Sequence, residues 1–174
     1  MIDAYAFPAG VRFALSDLDA AQIPVAEAAA RQWFRLAARH PRATMSMPSA
    51  VVDRLWLAFQ RHDREYAEFT KSAVGRPVPY PAAPGALAAT YRFARDDEPA
   101  ELPLLFRVDK ELAVDGGRHY IADCGGRGEC FPVRDTTCLQ HLTGLGRATR
   151  GGAMRSSPMP PGAEGSGGGS ACGA

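Results

Sequence analysis

Residues 49–75, SAVVDRLWLAFQRHDREYAEFTKSAVG, carry the pattern that decides the fold. Val52, Leu55, Trp56, Phe59, Tyr66 and Phe69 recur at helical spacing, so one face is apolar. Ser49 is placed to cap the N-terminus, and Asp53 suits the positive end of the helix dipole. Lys71 fits the last turn and Gly75 is a stop signal. The spacing predicts one continuous helix over 49–73, with His62 on its apolar stripe as a core or boundary histidine rather than a ligand.

Working outward, the pattern continues in both directions. Pro24 fits a first helical turn, and Val25, Ala29, Trp33, Leu36 and Ala37 repeat at steps of three and four up to Pro41. Arg31, Arg35 and Arg39 form a separate stripe that reads as a solvated helix flank. A short helix is expected from about Val11. Pro77, Pro79, Pro81 and Pro84 exclude a helix or a central strand across 76–84. Helices are expected over 85–95, with Leu87, Tyr91 and Ala94 inward, and over 103–112, with Leu104, Leu105, Val108 and Leu112 inward. Asp96-Asp97-Glu98-Pro99 between them reads as a polar linker. Asp115-Gly116-Gly117 is a turn, and His119-Tyr120-Ile121 a brief extended piece.

The fold class that follows is mainly α: a single irregular bundle of four to five helices with a loop-rich, Cys-containing C-terminal segment. The domain is expected over 1–145. From about Gly144 the composition changes: ten of the eighteen glycines lie after Thr143, with several prolines and serines and few large apolar residues. Such a segment cannot offset its ordering entropy, so 146–174 reads as a disordered tail that contains Cys172.

Three of the four cysteines and a histidine gather in Cys124-x5-Cys130-x7-Cys138-x2-His141. A Cys₃His set is a candidate zinc site, and Gly125-Gly126-Arg127-Gly128 would let the chain fold back between the first two ligands. His119 could replace any member. The competing reading is of small semi-buried cysteines in a loop. Cys138 and His141 are also the minimum for an activated thiolate. No Gly-x-Ser-x-Gly, phosphate-binding loop or dinucleotide fingerprint is present.

Net charge is +1, so no global basic field draws nucleic acid or an anionic membrane. No segment reaches the ~20 apolar residues of a membrane span. The first residues lack the pattern of a signal peptide. The expected compartment is therefore the cytoplasm, where thiols stay reduced or bind metal.

Met47-Pro48-Ser49, Val52-Asp53, Trp56, Phe59, Tyr66, Phe69 and Gly75, followed by Leu102-Pro103-Leu104-Leu105-Phe106, Asp109, Leu112, Gly117, Tyr120, Asp123-Cys124 and Cys130, form an ordered series over residues 25–130. It resembles small bacterial proteins named for a glycine-rich domain, themselves distantly similar to plant glycine-rich domain proteins. The resemblance implies a Trp-His pair and a later His-His before a proline. Here Leu57 follows Trp56, and Pro79 and Tyr80 occupy the double-histidine positions. The resemblance therefore implies a surviving C-terminal site over a surviving central one. The leading functional expectation is a non-catalytic cytoplasmic scaffold or protein-interaction module, stapled by zinc and acting through an unidentified protein partner. The alternatives are a metal- or thiol-dependent enzyme using Cys138 and His141, and RNA binding through the arginine helix and the Arg-Gly content of 147–152.

Overall fold

The computed structural model describes residues 1–80, 82–83, 85–123 and 136–142, with the side chain of His141 left out. Cys124, Cys130, Cys172 and the expected tail lie outside the described residues. The architecture is mainly helical, as the periodicity implies. A short turn of helix, α1 (Ala9–Arg12), runs into a 3₁₀ turn at Phe13–Leu15. The longest helix, α2 (Gln22–Arg39), is followed by α3 (Ala50–Gln60) and α4 (Asp63–Phe69), then by α5 (Leu87–Asp97) and α6 (Leu104–Glu111). Strand β1 (His119–Ile121) pairs in parallel with β2 (Thr136–Cys138), and α7 (Leu139–Leu142) closes the described chain.

Helix α2 is the centre of the bundle and packs against α3, α5 and α6. It can do so because its buried face is broad: Ala26, Ala29, Ala30, Trp33, Phe34, Leu36 and Ala37 are all buried. The alanines bring neighbouring helices close, and the aromatic rings fill what remains. Trp33 meets Trp56 at 5.1 Å between centroids, and Phe34 meets Phe59 and Phe69 edge-on.

The continuous helix expected over 49–73 is in fact interrupted. Arg61 leaves the helix, and His62 takes φ −92°, ψ 68° as the N-cap of α4. Asp63 and Glu65 then fill a new first turn, where their charge suits the dipole. The break folds α4 back, so Tyr66 and Phe69 both reach Phe59. His62 consequently sits at a corner, half-buried, with its ring against Gly10. After α4, residues Thr70–Val74 widen into a π turn, and the Thr70 hydroxyl donates to the Tyr66 carbonyl at 2.9 Å. Gly75 ends the segment at φ 78°, the left-handed conformation a stop glycine supplies.

Buried polar groups join the elements. The Asp109 carboxylate on α6, 1% exposed, accepts from the Ser49 hydroxyl at 2.6 Å, the Ala50 amide at 2.7 Å, the Val51 amide at 3.2 Å and the Arg118 amide at 2.8 Å. Ser49 itself caps α3 by accepting from the Val52 amide, as its position in the sequence implies. Gln32 on α2 accepts from the Leu105 amide at the start of α6, and Glu98 accepts from the neighbouring Leu104 amide. The acidic run expected to be a solvated linker therefore works inside the structure. Asp97 closes α5 and pairs with Arg35 and Arg39, while Glu98 pairs with Arg107 at 2.7 Å. Leu104, expected inward, is only half-buried because it opens the first turn of α6.

Trp56 is fully buried, and its indole nitrogen donates to the Tyr66 hydroxyl at 3.0 Å. That hydroxyl donates in turn to the Val78 carbonyl at 2.6 Å. Trp56→Ala leaves a cavity and removes one member of this chain of bonds. Urea unfolding should show a loss of about 3–5 kcal/mol. A loss under about 1 kcal/mol would mean the ring is not packed as described.

Candidate functional site

The four residues of the sequence-derived metal set are only partly within the described chain. Cys124 and Cys130 lie outside it, and of His141 only the backbone, in α7, is described. Cys138 ends β2 opposite Ile121 and is 5% exposed. His119 pairs with Thr136 at the start of the strands. Among the described residues no group of three or more His, Cys, Asp or Glu side chains is arranged to hold a metal. The thiolate reading expects an accessible sulfur at Cys138, and burial opposes that expectation.

The arginine stripe is neither an open anion face nor a solvated flank. Arg31 donates to Glu27 at 2.9 Å and to the Tyr5 carbonyl, and Arg35 reaches both Asp3 and Asp97. Arg39 also binds Asp97. Burial pushes the Asp97 carboxyl up, but the guanidiniums of Arg35 and Arg39 more than reverse this and hold it below its usual range. The stripe stitches α2 to the N-terminal segment and to the end of α5.

A different constellation has the properties of a site. Asp53 in the first turn of α3 faces Arg118 across 4.0 Å. Both border a cleft of about 470 Å³ that also touches Ser46, Leu87 and Tyr120. Asp109 positions the pair, because its carboxylate holds the start of α3 and the Arg118 amide together. Gly117 lets the chain approach: a Cβ there would lie 2.8 Å from the Val114 carbonyl oxygen and 3.0 Å from the Asp109 Cβ. The floor is fixed as well. Arg118 Nη1 donates to the Met47 carbonyl, the Tyr120 hydroxyl donates to the Pro48 carbonyl, and Thr90 exchanges hydrogen bonds with the Ser46 backbone.

The Asp53 carboxylate differs from these neighbours. Among the described residues it accepts no hydrogen bond, and Arg118 at 4.0 Å is its ion-pair partner. Burial raises its pKa above the ordinary 3.8, and Arg118 only partly opposes this. Burial likewise pushes the Tyr120 hydroxyl to about 12, with Arg118 opposing and Asp109 adding to the rise. A perturbed carboxylate facing a specific cation in a cleft is a functional-site signature. In the sequence Asp53 reads as a first-turn acid and as one member of the ordered series, with no site role, and Arg118 is not singled out. Their sequence separation leaves no local signal.

Residues 1–142 match the model of the UCP032817-like family. The chain belongs to that family. The UCP032817-like region spans every described element and the whole cleft, including Asp53, Asp109 and Arg118. No curated protein and no solved structure matches the chain. No helix among the described residues is long and apolar enough to cross a membrane.

The Asp53 shift has a consequence for stability. Because burial disfavours its charged form, the folded chain keeps this proton to higher pH than the unfolded chain does. The folded state binds more protons in that window, so the contribution of Asp53 to stability falls as pH rises above 3.8. Asp53→Asn removes the penalty. Its thermal midpoint should equal or exceed that of the parent at neutral pH, and the difference should vanish below 3.8. A variant clearly less stable at neutral pH would show instead that Asp53 serves the fold.

Proposed function

We propose that the protein is a non-catalytic cytoplasmic interaction module whose cleft between α3, α5 and β1 takes a polar segment of a partner protein. The observation that carries this is the Asp53 carboxylate, half-buried and without a hydrogen-bond donor among the described residues, beside the guanidinium of Arg118. Asp53 offers acceptors and Arg118 offers donors. A peptide unit or an amide side chain presents one of each and satisfies both. The remaining polar groups of the cleft are already used: Ser46 and Tyr120 donate to backbone carbonyls at 2.5 Å and 2.9 Å. That supports binding over proton transfer.

The zinc staple is the second part of the reading. Ile121, three residues before Cys124 in the sequence, pairs with Cys138 across the two strands. A metal there would fix a segment with little apolar surface of its own. Elemental analysis of the purified chain should find about one zinc per molecule, and metal-free protein would remove this part.

The interaction itself is tested by affinity capture from cells that express the protein. Capture with the parent chain should recover a stoichiometric partner. Asp53→Lys should lose it while keeping the helical circular dichroism, and Arg64→Ala, on an exposed surface of α4, should retain it. Equal recovery by Asp53→Lys contradicts the proposal.

A further inference from the structure

The cleft of Asp53 and Arg118 presents one charge of each sign, and neither satisfies the other. Their nearest approach, 4.0 Å from Oδ2 to Nη2, is too long for a hydrogen bond. Arg118 is held back from closing it, because its Nη1 donates to the Met47 carbonyl at 2.5 Å and its amide to Asp109. Both side chains are nevertheless within reach of a ligand: 32% of the Asp53 side chain and 46% of that of Arg118 is exposed. We propose that this cleft binds a free α-amino acid with an apolar side chain, its ammonium on Asp53 and its carboxylate on Arg118. The proposal rests on the reading of the cleft as a binding site, and a bound amino acid excludes the partner's segment from it.

The gap has the dimensions of a zwitterion. Standard bond lengths put the ammonium nitrogen of an amino acid about 2.7 Å from its nearer carboxylate oxygen. One charge-assisted hydrogen bond of about 2.8 Å on each side joins that unit to two protein atoms 4.0 Å apart. A peptide unit supplies a donor and an acceptor but no charge. Burial disfavours the charged form of Asp53 and Arg118 opposes this only in part, so an ammonium adds what a neutral amide lacks. An anion alone would leave Asp53 uncompensated, and a cation alone would face Arg118.

The rest of the lining sets the side chain. Ala82, Ala83 and Leu87 are half-buried apolar walls, open to contact. Asp53 and Arg118 are the only charged residues of the described lining, so no third charge awaits an acidic or basic side chain. The hydroxyls of Ser46 and Tyr120 already donate to the Ala83 and Pro48 carbonyls. The volume of about 470 Å³ lies within the range of small-molecule sites.

Isothermal titration calorimetry of the full chain near neutral pH tests this with L-valine, L-leucine, L-methionine and L-phenylalanine, and with the N-acetyl and amide forms of each. At least one free amino acid should bind saturably below about 10 mM. Its N-acetyl form, without the ammonium, and its amide, without the carboxylate, should each bind at least about tenfold more weakly. Asp53→Asn and Arg118→Gln should each weaken the free amino acid at least about tenfold. Asp53→Asn keeps the shape of the side chain and removes its buried charge, so it decides the matter if Arg118→Gln does not fold. No saturable binding by any of the four overturns the proposal. So does a blocked form that binds as tightly as the free amino acid, or unchanged affinity in Asp53→Asn. Absent amino-acid binding beside a partner lost in Asp53→Lys removes this inference and leaves the partner reading. Amino-acid binding lost in Asp53→Asn, beside a partner that Asp53→Lys retains, does the reverse.

Discussion

The Asp109 carboxylate is the joint on which the rest of the structure depends. It stands on α6, fully buried, and four donors converge on it: the Ser49 hydroxyl and the amides of Ala50, Val51 and Arg118. Two of those amides are orphan donors of the first turn of α3, where a negative charge is also favoured by the helix dipole. The fourth belongs to the turn that delivers the chain into β1. One carboxylate thus ties α6 and the turn nine residues after it to the start of α3, about sixty residues earlier in the chain. It also fixes the geometry of the cleft, since Asp53 lies in that first turn of α3 and Arg118 provides one of the bound amides. A buried charge is costly unless fully satisfied, so the arrangement tolerates little rearrangement.

The same logic recurs around the bundle. Gln32 and Glu98 satisfy the first amides of α6, and Thr90 and Ser46 clamp the extended segment before α3 against the start of α5. Apolar packing along α2 supplies the bulk of the stabilisation, but it is non-directional and would permit helices to slide. The polar joints set the register. Against this background, the groups left unsatisfied stand out. Among the described residues Asp53 accepts no hydrogen bond and meets only Arg118 at 4.0 Å, and the indole nitrogen of Trp33 and Nε of Arg76 are buried without a partner.

The helices were legible because their apolar residues recur at helical spacing, and the stop at Gly75 because a left-handed residue was needed there. The break at Arg61–His62 was not. Phe59, Tyr66 and Phe69 fit one helical stripe on paper, yet the folded-back α4 packs them on one another, a choice made by tertiary contacts. The acidic residues at the end of α5 read as solvated because their partners, Arg35, Arg39 and Arg107, are remote in sequence or lie beyond a proline. Asp109 appears in the sequence only as one member of an ordered series, and its role as a joint was hidden for the same reason: its partners at 49–51 leave no local trace. The cysteine segment was the most visible chemistry in the sequence, and of its ligand side chains the described chain includes only that of Cys138, buried in β2.

Native-state hydrogen exchange on the amides of Ala50, Val51 and Arg118 tests the role of Asp109 most directly. If one carboxylate joins them, the three should open together with a common free energy in the parent chain, despite their separation in sequence. In Asp109→Asn all three should lose protection in concert, while the His40 amide at the end of α2, bonded to the Leu36 carbonyl, should lose less. Rapid exchange at Arg118 beside full protection at Ala50 and Val51, or a variant that loosens only one of the three, would contradict the view that Asp109 builds the cleft.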